Sequence, residues 1–317
     1  MPVFDYFTGK ALPGVNAVKF TKRDLNEELT VEAANKPYTS PHAFGSTYIE
    51  HRKALELSIE EHKELEVYAH EKGLDFIETL CSPGCLELLE TVKVDVVKIA
   101  SRDVTNIPLL NELGKLKIDV IISSGMCSLQ ELQDALGILS ETPKKIAVLH
   151  CISQYPAQYE NINLSSIPYL KELFPESTIG YSDHSIGIVV PVAAVALGAS
   201  IIEKHITLNR SMKGSDHAGS LEPEGLWRIV RDIRNIEKAM GVRQQDFHPA
   251  IRSSREKLAR SLAIQIPLAK GETLRESYLC MRSPGNGMSW EERKSIIGKK
   301  AKHDLPANTL LHRSDLE

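Results

Sequence analysis

Short apolar runs alternate with amphipathic stretches between residues 16 and 207. Seven of these runs are rich in β-branched residues and almost continuously hydrophobic, which is typical of parallel strands covered on both faces. They occupy residues 16–20, 74–80, 94–100, 118–123, 145–150, 178–182 and 200–206. Apolar residues between them recur at helical spacing. The pattern therefore predicts strands that alternate with helices.

Five stretches predict helices, at residues 58–72, 128–139, 164–173, 187–197 and 222–240. The first begins Ser-Ile-Glu-Glu, which predicts a capping box between Ser58 and Glu61. Repeated strand–helix order indicates a parallel sheet, either doubly wound or closed into a barrel. No Gly-x-Gly-x-x-Gly turn follows an early strand, which weakens the doubly wound alternative. Seven strands are one short of eight, so we expect an α/β fold of the TIM (β/α)8 barrel type that lacks one strand.

The pattern changes after residue 240. Residues 241–257 are polar and lack a regular period, which favours a linker. Residues 258–317 contain short strand-like runs, Pro and Gly turns and one brief helix. These features predict a small β-rich module. We therefore divide the chain into a barrel domain at 1–240, a linker at 241–257 and a module at 258–317.

Composition narrows the functional classes. The chain has 317 residues, of which 42% are hydrophobic and 25% charged, as in ordinary globular domains. Its net charge of −4 gives no global attraction to nucleic acid or to an anionic membrane, so we expect neither as a partner. No apolar run reaches the roughly 20 residues of a membrane span, and the amino end lacks a signal-peptide pattern. The five cysteines, an odd number, predict free thiols in a reducing cytoplasm.

Lysines and hydroxyl-bearing residues stand at the ends of several predicted strands. The carboxyl ends of the strands of a parallel barrel face its active-site mouth. Lys19 and Lys98 both lie there, within otherwise apolar runs. Lysine supplies compact positive charge, and hydroxyls donate hydrogen bonds without adding negative charge. The sequence therefore predicts a pocket for a small anion such as a phosphate group.

Histidines end two successive predicted strands. His184 and His205 can bind a divalent metal together through imidazole nitrogens, although each can also be an ordinary core or surface histidine. Glu203 lies two residues before His205 and on the same strand face, so it is either a partner of the metal site, which we favour, or part of an interior polar layer. His150 lies inside an apolar run and is interpreted as a buried structural histidine.

A polar, glycine-containing loop follows the seventh predicted strand at residues 209–224. It carries Asp216 and His217 to the mouth of the predicted barrel. The loop is either a segment that grips a hydroxyl-rich ligand or an ordinary connection into the next helix, and local sequence favours neither.

Motifs that run in order along the chain carry a family resemblance. They include Ala-Val-Lys-Phe (17–20), Val-Lys-Ile-Ala-Ser (97–101), Ile-Ser-Ser-Gly-Met (122–126), Gly-Tyr-Ser-Asp-His-Ser-Ile-Gly (180–187), Ile-Ile-Glu-Lys-His-Ile-Thr (201–207), Ser-Asp-His-Ala-Gly-Ser-Leu-Glu-Pro (215–223) and Arg-Ser-Pro-Gly-Asn-Gly-Met (282–288). These motifs resemble the sialic acid synthase family, which includes N-acetylneuraminate, legionaminate and pseudaminate synthases and related spore-coat polysaccharide enzymes.

The resemblance implies a fold and a reaction. The fold is a TIM barrel with a carboxyl-terminal antifreeze-like (SAF, β-clip) module. The reaction is the condensation of phosphoenolpyruvate with an N-acylated aldose, such as N-acetylmannosamine, to give a nonulosonic acid and phosphate for surface-polysaccharide biosynthesis. The resemblance also implies a divalent Mn²⁺ or Mg²⁺ ion bound by His184 and His205. It further implies a domain-exchanged homodimer in which each module caps the partner's barrel.

Individual residues fall on functional positions of the family. The resemblance implies catalytic roles for Lys19, Lys98, Asp103 and Asp216. The positions that hold phosphoenolpyruvate are Lys19, Thr79, Lys98, Ser101, Ser123 and Ser182. Tyr155, Asp103 and Asp216 fall on sugar-binding positions, and Arg282 is the candidate sugar contact in the module. The family's arginine directly precedes Pro-Gly, whereas Ser283 does so here.

The sequence departs from the family at two further places. Family members begin with a strand ending Ala-Glu-Ile-Gly and an Asn-His-Asn-Gly loop, which have no counterpart before residue 16, so we expect the first strand and its glutamate to be missing. Thr21 replaces a glutamine that is usual in the family. The alternative to an active synthase is therefore a catalytically impaired or non-enzymatic sugar- or phosphate-binding protein. A plain phosphate-binding barrel aldolase ranks third, because it would not need the module.

Overall fold

The computed structural model describes residues 3–4, 11–12, 14–242 and 247–317. Two compact units divide the chain, Met1–Gly241 and Val242–Glu317. The strands of the first unit are β1 (Val3–Phe4), β2 (Ala11–Leu12), β3 (Ala17–Lys22), β4 (Asp75–Leu80), β5 (Val96–Ile99), β6 (Asp119–Ser123), β7 (Ile146–Cys151), β8 (Thr178–Asp183) and β9 (Ile202–Lys204). Its helices are α1 (Leu25–Glu28), α2 (Val31–Asn35), α3 (Tyr48–Lys53), α4 (Ile59–Glu71), α5 (Ile107–Lys115), α6 (Leu129–Leu139), α7 (Tyr159–Ile162), α8 (Ser166–Leu173), α9 (Val189–Ala196) and α10 (Pro223–Met240).

Strands β3 to β9 form one parallel sheet in chain order. All seven predicted strands are confirmed, and each lies within a few residues of its predicted range. In the described part of the chain, β3 and β9 are the two edges of this sheet. Strands β1 and β2 form a separate antiparallel pair.

The sheet is strongly curled. Lys98 on β5 and Glu203 on β9 are separated by three intervening strands, which would put them about 19 Å apart in a flat sheet with strands about 4.8 Å apart. Their side chains nevertheless meet, with Lys98 Nζ 2.8 Å from Glu203 Oε2. The sheet therefore bends into a half-barrel, and these side chains lie on its concave face.

The main core lies on the convex face, between the sheet and its helices. Val97 and Ile99 of β5 are completely buried, and they flank Lys98. Since successive side chains of a strand point to opposite faces, the two apolar residues contact the helices while the lysine lies inside the curl. Leu109 and Leu113 of α5 belong to the same core. Burial of the apolar face thus fixes the direction in which the lysine points.

The predicted helix starts are accurate where capping residues mark them. Ser58 accepts from the Glu61 N–H and Glu61 accepts from the Ser58 N–H, so the predicted capping box is confirmed. Helices α1, α2 and α3 are four to six residues long and were missed because so few residues show no helical period. Helix α5 was also missed, although Asn106 caps it.

The second unit contains helix α11 (Arg252–Leu258) and an antiparallel pair, β10 (Ser261–Ile264) and β11 (Leu279–Arg282). It has its own apolar core, which includes Leu262, Ile264 and Leu311. Helix α11 overlaps the end of the stretch predicted as a linker, where Arg255 stacks on Phe247 with 4.9 Å between guanidinium and ring centre. Residues 243–246 of that stretch lie outside the described residues.

Two sequence expectations concern the whole chain. All five cysteines are free thiols, as predicted. Among the described residues, no helix has the length and apolarity that a membrane crossing requires.

Replacing Ser58 with alanine should reduce the free energy of unfolding by about 1 kcal/mol, because the first turn of α4 loses its side-chain cap. Ser165→Ala is the matched control, since Ser165 precedes α8 but its side chain makes no capping bond. Urea unfolding followed by circular dichroism measures both. Equal losses in the two variants would contradict the capping argument.

Candidate functional site

A buried ion pair occupies the concave face of the sheet. Lys98 is 2% exposed and donates to Glu203, while Ser182 donates to the other carboxylate oxygen at 3.0 Å. Lys98, Ser182 and Glu203 come from β5, β8 and β9. Glu203 therefore belongs to an interior polar layer, and the preferred role as a partner of the metal site is not supported by its hydrogen bonds.

Further predicted residues surround this pair. Lys19 on β3 donates to Thr79 Oγ1 on β4 at 3.2 Å. Ser101 accepts from the Gly125 N–H at 3.0 Å. Ser123 is 3% exposed, and its hydroxyl has no hydrogen-bond partner. A buried hydroxyl without a partner is unusual in proteins and suits a site that receives a polar ligand.

Side chains of Ser101, Cys151 and Ser153 fill the space beside the Gly125 backbone. A Cβ atom at this position would lie 2.4 Å from Ser153 Oγ and 2.9 Å from both Cys151 Sγ and Ser101 Oγ. A larger residue would require these side chains to shift, so glycine lets the backbone N–H approach Ser101 closely.

The ion pair sets the charges of its members. Burial lowers the pKa of Lys98, and the carboxylate of Glu203 opposes this effect. Burial alone would raise the pKa of Glu203, but the positive charges of Lys98 and Lys19 and the bond from Ser182 hold it at about 2. Glu203 is therefore ionised at neutral pH. The carboxylate of Glu203 thus stabilises the charged form of the Lys98 ammonium.

His184 and His205 stand side by side at the ends of β8 and β9. Their ring centres are 5.5 Å apart, and the ring of Tyr155 lies 4.1 Å from that of His184. His184 Nδ1 donates to the Ile152 carbonyl oxygen at 2.9 Å, so Nε2 carries the lone pair when the ring is neutral. Asp216 Oδ2 lies 3.6 Å from His205 Nδ1. The structure thus brings together four residues that were predicted from separate motifs.

The two histidines differ in their electrostatic surroundings. Burial lowers the pKa of His205, whereas Asp216 acts in the opposite direction. Burial would also lower the pKa of His184, but its contact with the thiol of Cys151 raises that pKa above its usual value. The pKa values of the two imidazoles are therefore shifted in opposite directions.

An open pocket of about 100 Å³ lies beside the histidines. Tyr155, Pro156 and Ile186 form an apolar wall, and Asp216 and Ser215 lie opposite in the lining. Such a mixture of an apolar wall and a few polar groups is typical of small-molecule sites.

The two imidazoles fit a divalent cation as a partial ligand set. Imidazole nitrogen is a common ligand of Mn²⁺ and other divalent ions. No group of three or more His, Cys, Asp or Glu side chains in the described ranges has the arrangement of a complete metal site. His184 and His205 would therefore hold the ion with substrate or water oxygens in the remaining positions.

A charged cluster that sequence reasoning missed surrounds Asp103. The Arg102 guanidinium donates to Asp103 Oδ2 at 3.3 Å and to Glu28 Oε1 at 2.5 Å, and Arg52 donates to Glu28 at 2.9 Å. Burial raises the pKa of Asp103 to about 6, although Arg102 acts to lower it. Arg102 lies between two predicted site residues, which was a usable signal. Glu28 lies in short helix α1, where the sequence offers none.

The loops that follow the two edge strands touch each other. The Gly214 N–H donates to His42 Nδ1 at 3.3 Å, and Lys213 lies 4.7 Å from the ring centre of Phe44. His42 and Phe44 lie between α2 and α3, in the segment that leads from β3 towards β4, whereas Gly214 lies in the loop after β9. The loop that carries Asp216 is therefore supported from across the opening of the sheet.

The remaining predicted residues lie elsewhere. His150 is 6% exposed and donates to the Ile162 carbonyl oxygen at 2.6 Å, so its structural role is confirmed. His217 contacts Thr207 Oγ1 at 2.7 Å. Arg282 is the last residue of β11 in the second unit, and its sugar-binding role stays a prediction.

Comparison with known proteins identifies the family. A sequence profile of the NeuB family matches residues 10–245. The chain belongs to the NeuB family. N-acetylneuraminate-9-phosphate synthase of Homo sapiens is 36% identical over 288 residues, which cover 90% of this chain and 80% of the human protein. N,N'-diacetyllegionaminic acid synthase of Legionella pneumophila is 35% identical over 306 residues, which cover 94% and 85% of the two chains. The resemblance to sialic acid synthases that the motifs carry is thus confirmed.

A solved NeuB-type structure has the same fold. The N-acetylneuraminic acid (sialic acid) synthetase of Leptospira borgpetersenii superposes with a TM-score of 0.65 and 33% sequence identity. The match covers 75% of this chain and 79% of that one. The curled parallel sheet with its helices is therefore a shared feature of the two proteins.

The stability of the wild-type protein should fall relative to that of Asp103→Asn as pH rises from about 4 to about 6.5. The folded-state pKa of Asp103 lies near 6, above its unfolded value, so the folded state loses its advantage once this carboxyl ionises. A shift of about two pKa units corresponds to a difference of roughly 2 kcal/mol after allowance for solvent screening. Urea unfolding across this pH range measures it. Asp134→Asn, an exposed carboxylate on α6, is the control, and a difference independent of pH would refute the shift.

Proposed function

We propose that this chain is a transferase that condenses phosphoenolpyruvate with an N-acylated aldose resembling N-acetylmannosamine, to give a nonulosonic acid and phosphate. The observation that carries the proposal is the buried Lys98–Glu203 pair, together with the buried Ser123 hydroxyl that has no hydrogen-bond partner. Fixed positive charge and hydroxyl donors suit a small phosphorylated carboxylate. The names of the human and Legionella relatives support a sialic-type product.

The proposed chemistry forms one carbon–carbon bond. Carbon 3 of the enol phosphate attacks the aldehyde carbon, and positive character develops at carbon 2. Water adds at carbon 2, and phosphate leaves from the tetrahedral adduct. Lys19 and Lys98, with Thr79, Ser101, Ser123 and Ser182, hold the anion so that carbon 3 faces the aldehyde.

The acceptor side of the proposed site uses different residues. A Mn²⁺ or Mg²⁺ ion bound by His184 and His205 would polarise the aldehyde oxygen. Tyr155 packs beside His184 and forms part of the pocket wall, and Asp216 accepts hydrogen bonds from sugar hydroxyls. Asp103, with a pKa near 6, can hold or release a proton near neutral pH.

We also propose the finer architecture and setting. The curled sheet is part of a TIM-type barrel, and residues 258–317 form an antifreeze-like module. Two chains form a domain-exchanged homodimer in which Arg282 contacts the acyl group at the partner's site. The enzyme acts in surface-polysaccharide biosynthesis in the cytoplasm, a setting that suits five free thiols.

A non-catalytic binding protein is the less favoured alternative. A protein that only binds a sugar phosphate would need the anion pocket but not a second pocket beside two histidines. Several relatives, among them those of Homo sapiens, Legionella pneumophila and Helicobacter pylori, are named as synthases, which supports catalysis.

The wild-type protein should release phosphate from phosphoenolpyruvate when supplied with Mn²⁺ and an N-acylated aldose, and a chelator should stop the reaction. Lys98→Ala should raise the KM for phosphoenolpyruvate at least about tenfold, because a charge-assisted bond to a buried anion is worth about 1.5–3 kcal/mol. A coupled phosphate assay over a panel of aldoses measures both.

Lys144→Ala is the control for loss of a lysine, since the Lys144 ammonium donates to the Leu113 and Gly114 carbonyl oxygens in the last turn of α5. Thermal melting tests whether both variants fold, and Lys98→Ala combined with Glu203→Gln, which leaves no unpaired buried carboxylate, is measured beside them. An unchanged KM in Lys98→Ala would reject the anion site. No turnover by wild type with any aldose, at saturating phosphoenolpyruvate and Mn²⁺, would reject the synthase proposal.

Exchange of modules between subunits predicts complementation. His205→Ala and Arg282→Ala should each be nearly inactive as homodimers. A mixed dimer combines the intact barrel site of one chain with the intact module of the other, so activity should return. Light scattering should give twice the 35.2 kDa chain mass. Failure of activity to return, with mixed dimers isolated by two affinity tags, would reject capping in trans.

A further inference from the structure

Lys204 stands directly before His205 and contacts the residues on both sides of His184. Its ammonium donates to Asp183 Oδ2 at 2.6 Å and to the Ser185 carbonyl oxygen. Asp183 and Lys204 are also register partners in the β8–β9 ladder. One side chain therefore ties the backbone that carries the first imidazole to the backbone that carries the second.

This contact is shielded from water, and both oxygens of the Asp183 carboxylate have hydrogen-bond partners. The side chain of Lys204 is 4% exposed and that of Asp183 is 0% exposed. The second carboxylate oxygen of Asp183 accepts from the Tyr181 hydroxyl and from the Ser185 N–H, each at 2.9 Å. Each oxygen of the carboxylate thus has a partner, and a buried network of this kind holds one geometry.

The ammonium of Lys204 lies on the opposite side of β9 from the anion site. Glu203 points to the concave face, where it meets Lys98. Since adjacent strand residues alternate between faces, Lys204 points away from that face. Its effect on the site must therefore act through the backbone and not through contact with a substrate.

We propose that Lys204 is a positioning residue that sets the spacing of His184 and His205. The inference rests on the proposed function, in which the two imidazoles bind a divalent cation. Metal–ligand distances tolerate only about 0.2 Å of error, so the 5.5 Å separation of the rings must be maintained by the surrounding structure. The ion pair between Lys204 and Asp183 is a direct side-chain link between the two strand ends.

The test removes the link without leaving a buried charge. Lys204→Met alone would leave Asp183 ionised and unpaired, and would report on folding. Lys204→Met combined with Asp183→Asn removes both charges, while the amide oxygen still accepts from Tyr181 and Ser185. The free Mn²⁺ signal in electron paramagnetic resonance gives the affinity for the metal alone. Calorimetry gives the affinity for phosphoenolpyruvate.

The double variant should fold and bind phosphoenolpyruvate within about twofold of wild type, but bind Mn²⁺ at least about tenfold more weakly. Changes to groups that orient metal ligands typically weaken metal binding 10–100-fold. Lys144→Met is the matched control, because Lys144 bonds to carbonyl groups remote from the histidines. It should leave Mn²⁺ affinity unchanged.

Lys204→Arg is the second variant, in case the double variant does not fold. It keeps the charge opposite Asp183, but a planar guanidinium does not reproduce the contacts of an ammonium. Mn²⁺ binding should weaken at least about threefold. Wild-type Mn²⁺ affinity in either folded variant overturns the inference and leaves the proposed function standing. If the wild-type protein binds phosphoenolpyruvate but no Mn²⁺, the metal part of the proposed function fails, and the inference fails with it.

Discussion

The burial of a lysine inside a curled sheet is the constraint on which this architecture depends. Lys98 cannot lie in the apolar interior unless a carboxylate neutralises it, because an unpaired buried charge is strongly destabilising. The carboxylate comes from β9, at the far end of the sheet, so the pair is made only when the sheet bends. The bend of the sheet and the formation of the Lys98–Glu203 pair therefore depend on each other. An open, flat version of the same strands would leave both charges without a partner.

Periodicity was enough to predict the seven strands, because each combines an apolar run with a clear boundary. It was also enough to place Lys19, Lys98, His184 and His205 at the same edge, since parallel strands share a carboxyl end. Periodicity could not predict the hydrogen-bond partners of those residues. Lys98 and Glu203 are 105 residues apart, and no local pattern reports which carboxylate meets which lysine. Glu28 illustrates the same limit, because a four-residue helix has no period to read.

The edges of the sheet pose a separate physical problem. Unpaired edge strands expose backbone hydrogen-bonding groups, and proteins commonly cover them with loops or other elements. Here the loops after β3 and β9 meet through His42 and Gly214 and through Phe44 and Lys213. The contact joins elements that are distant in the sequence and encloses the mouth on its open side. The contact between these loops therefore also supports the loop that carries Asp216.

The two halves of the site differ in how closely they are packed. A Cβ atom at Gly125 would lie 2.4–2.9 Å from side-chain atoms of Ser101, Cys151 and Ser153, so a larger residue there requires those side chains to shift. The half beside the histidines differs, because Ile186 and Tyr155 line an open pocket and are each about half exposed. Residues of that kind can be exchanged without repacking a core. Single substitutions around that pocket can therefore change which molecules it admits while the closely packed half of the site keeps its geometry.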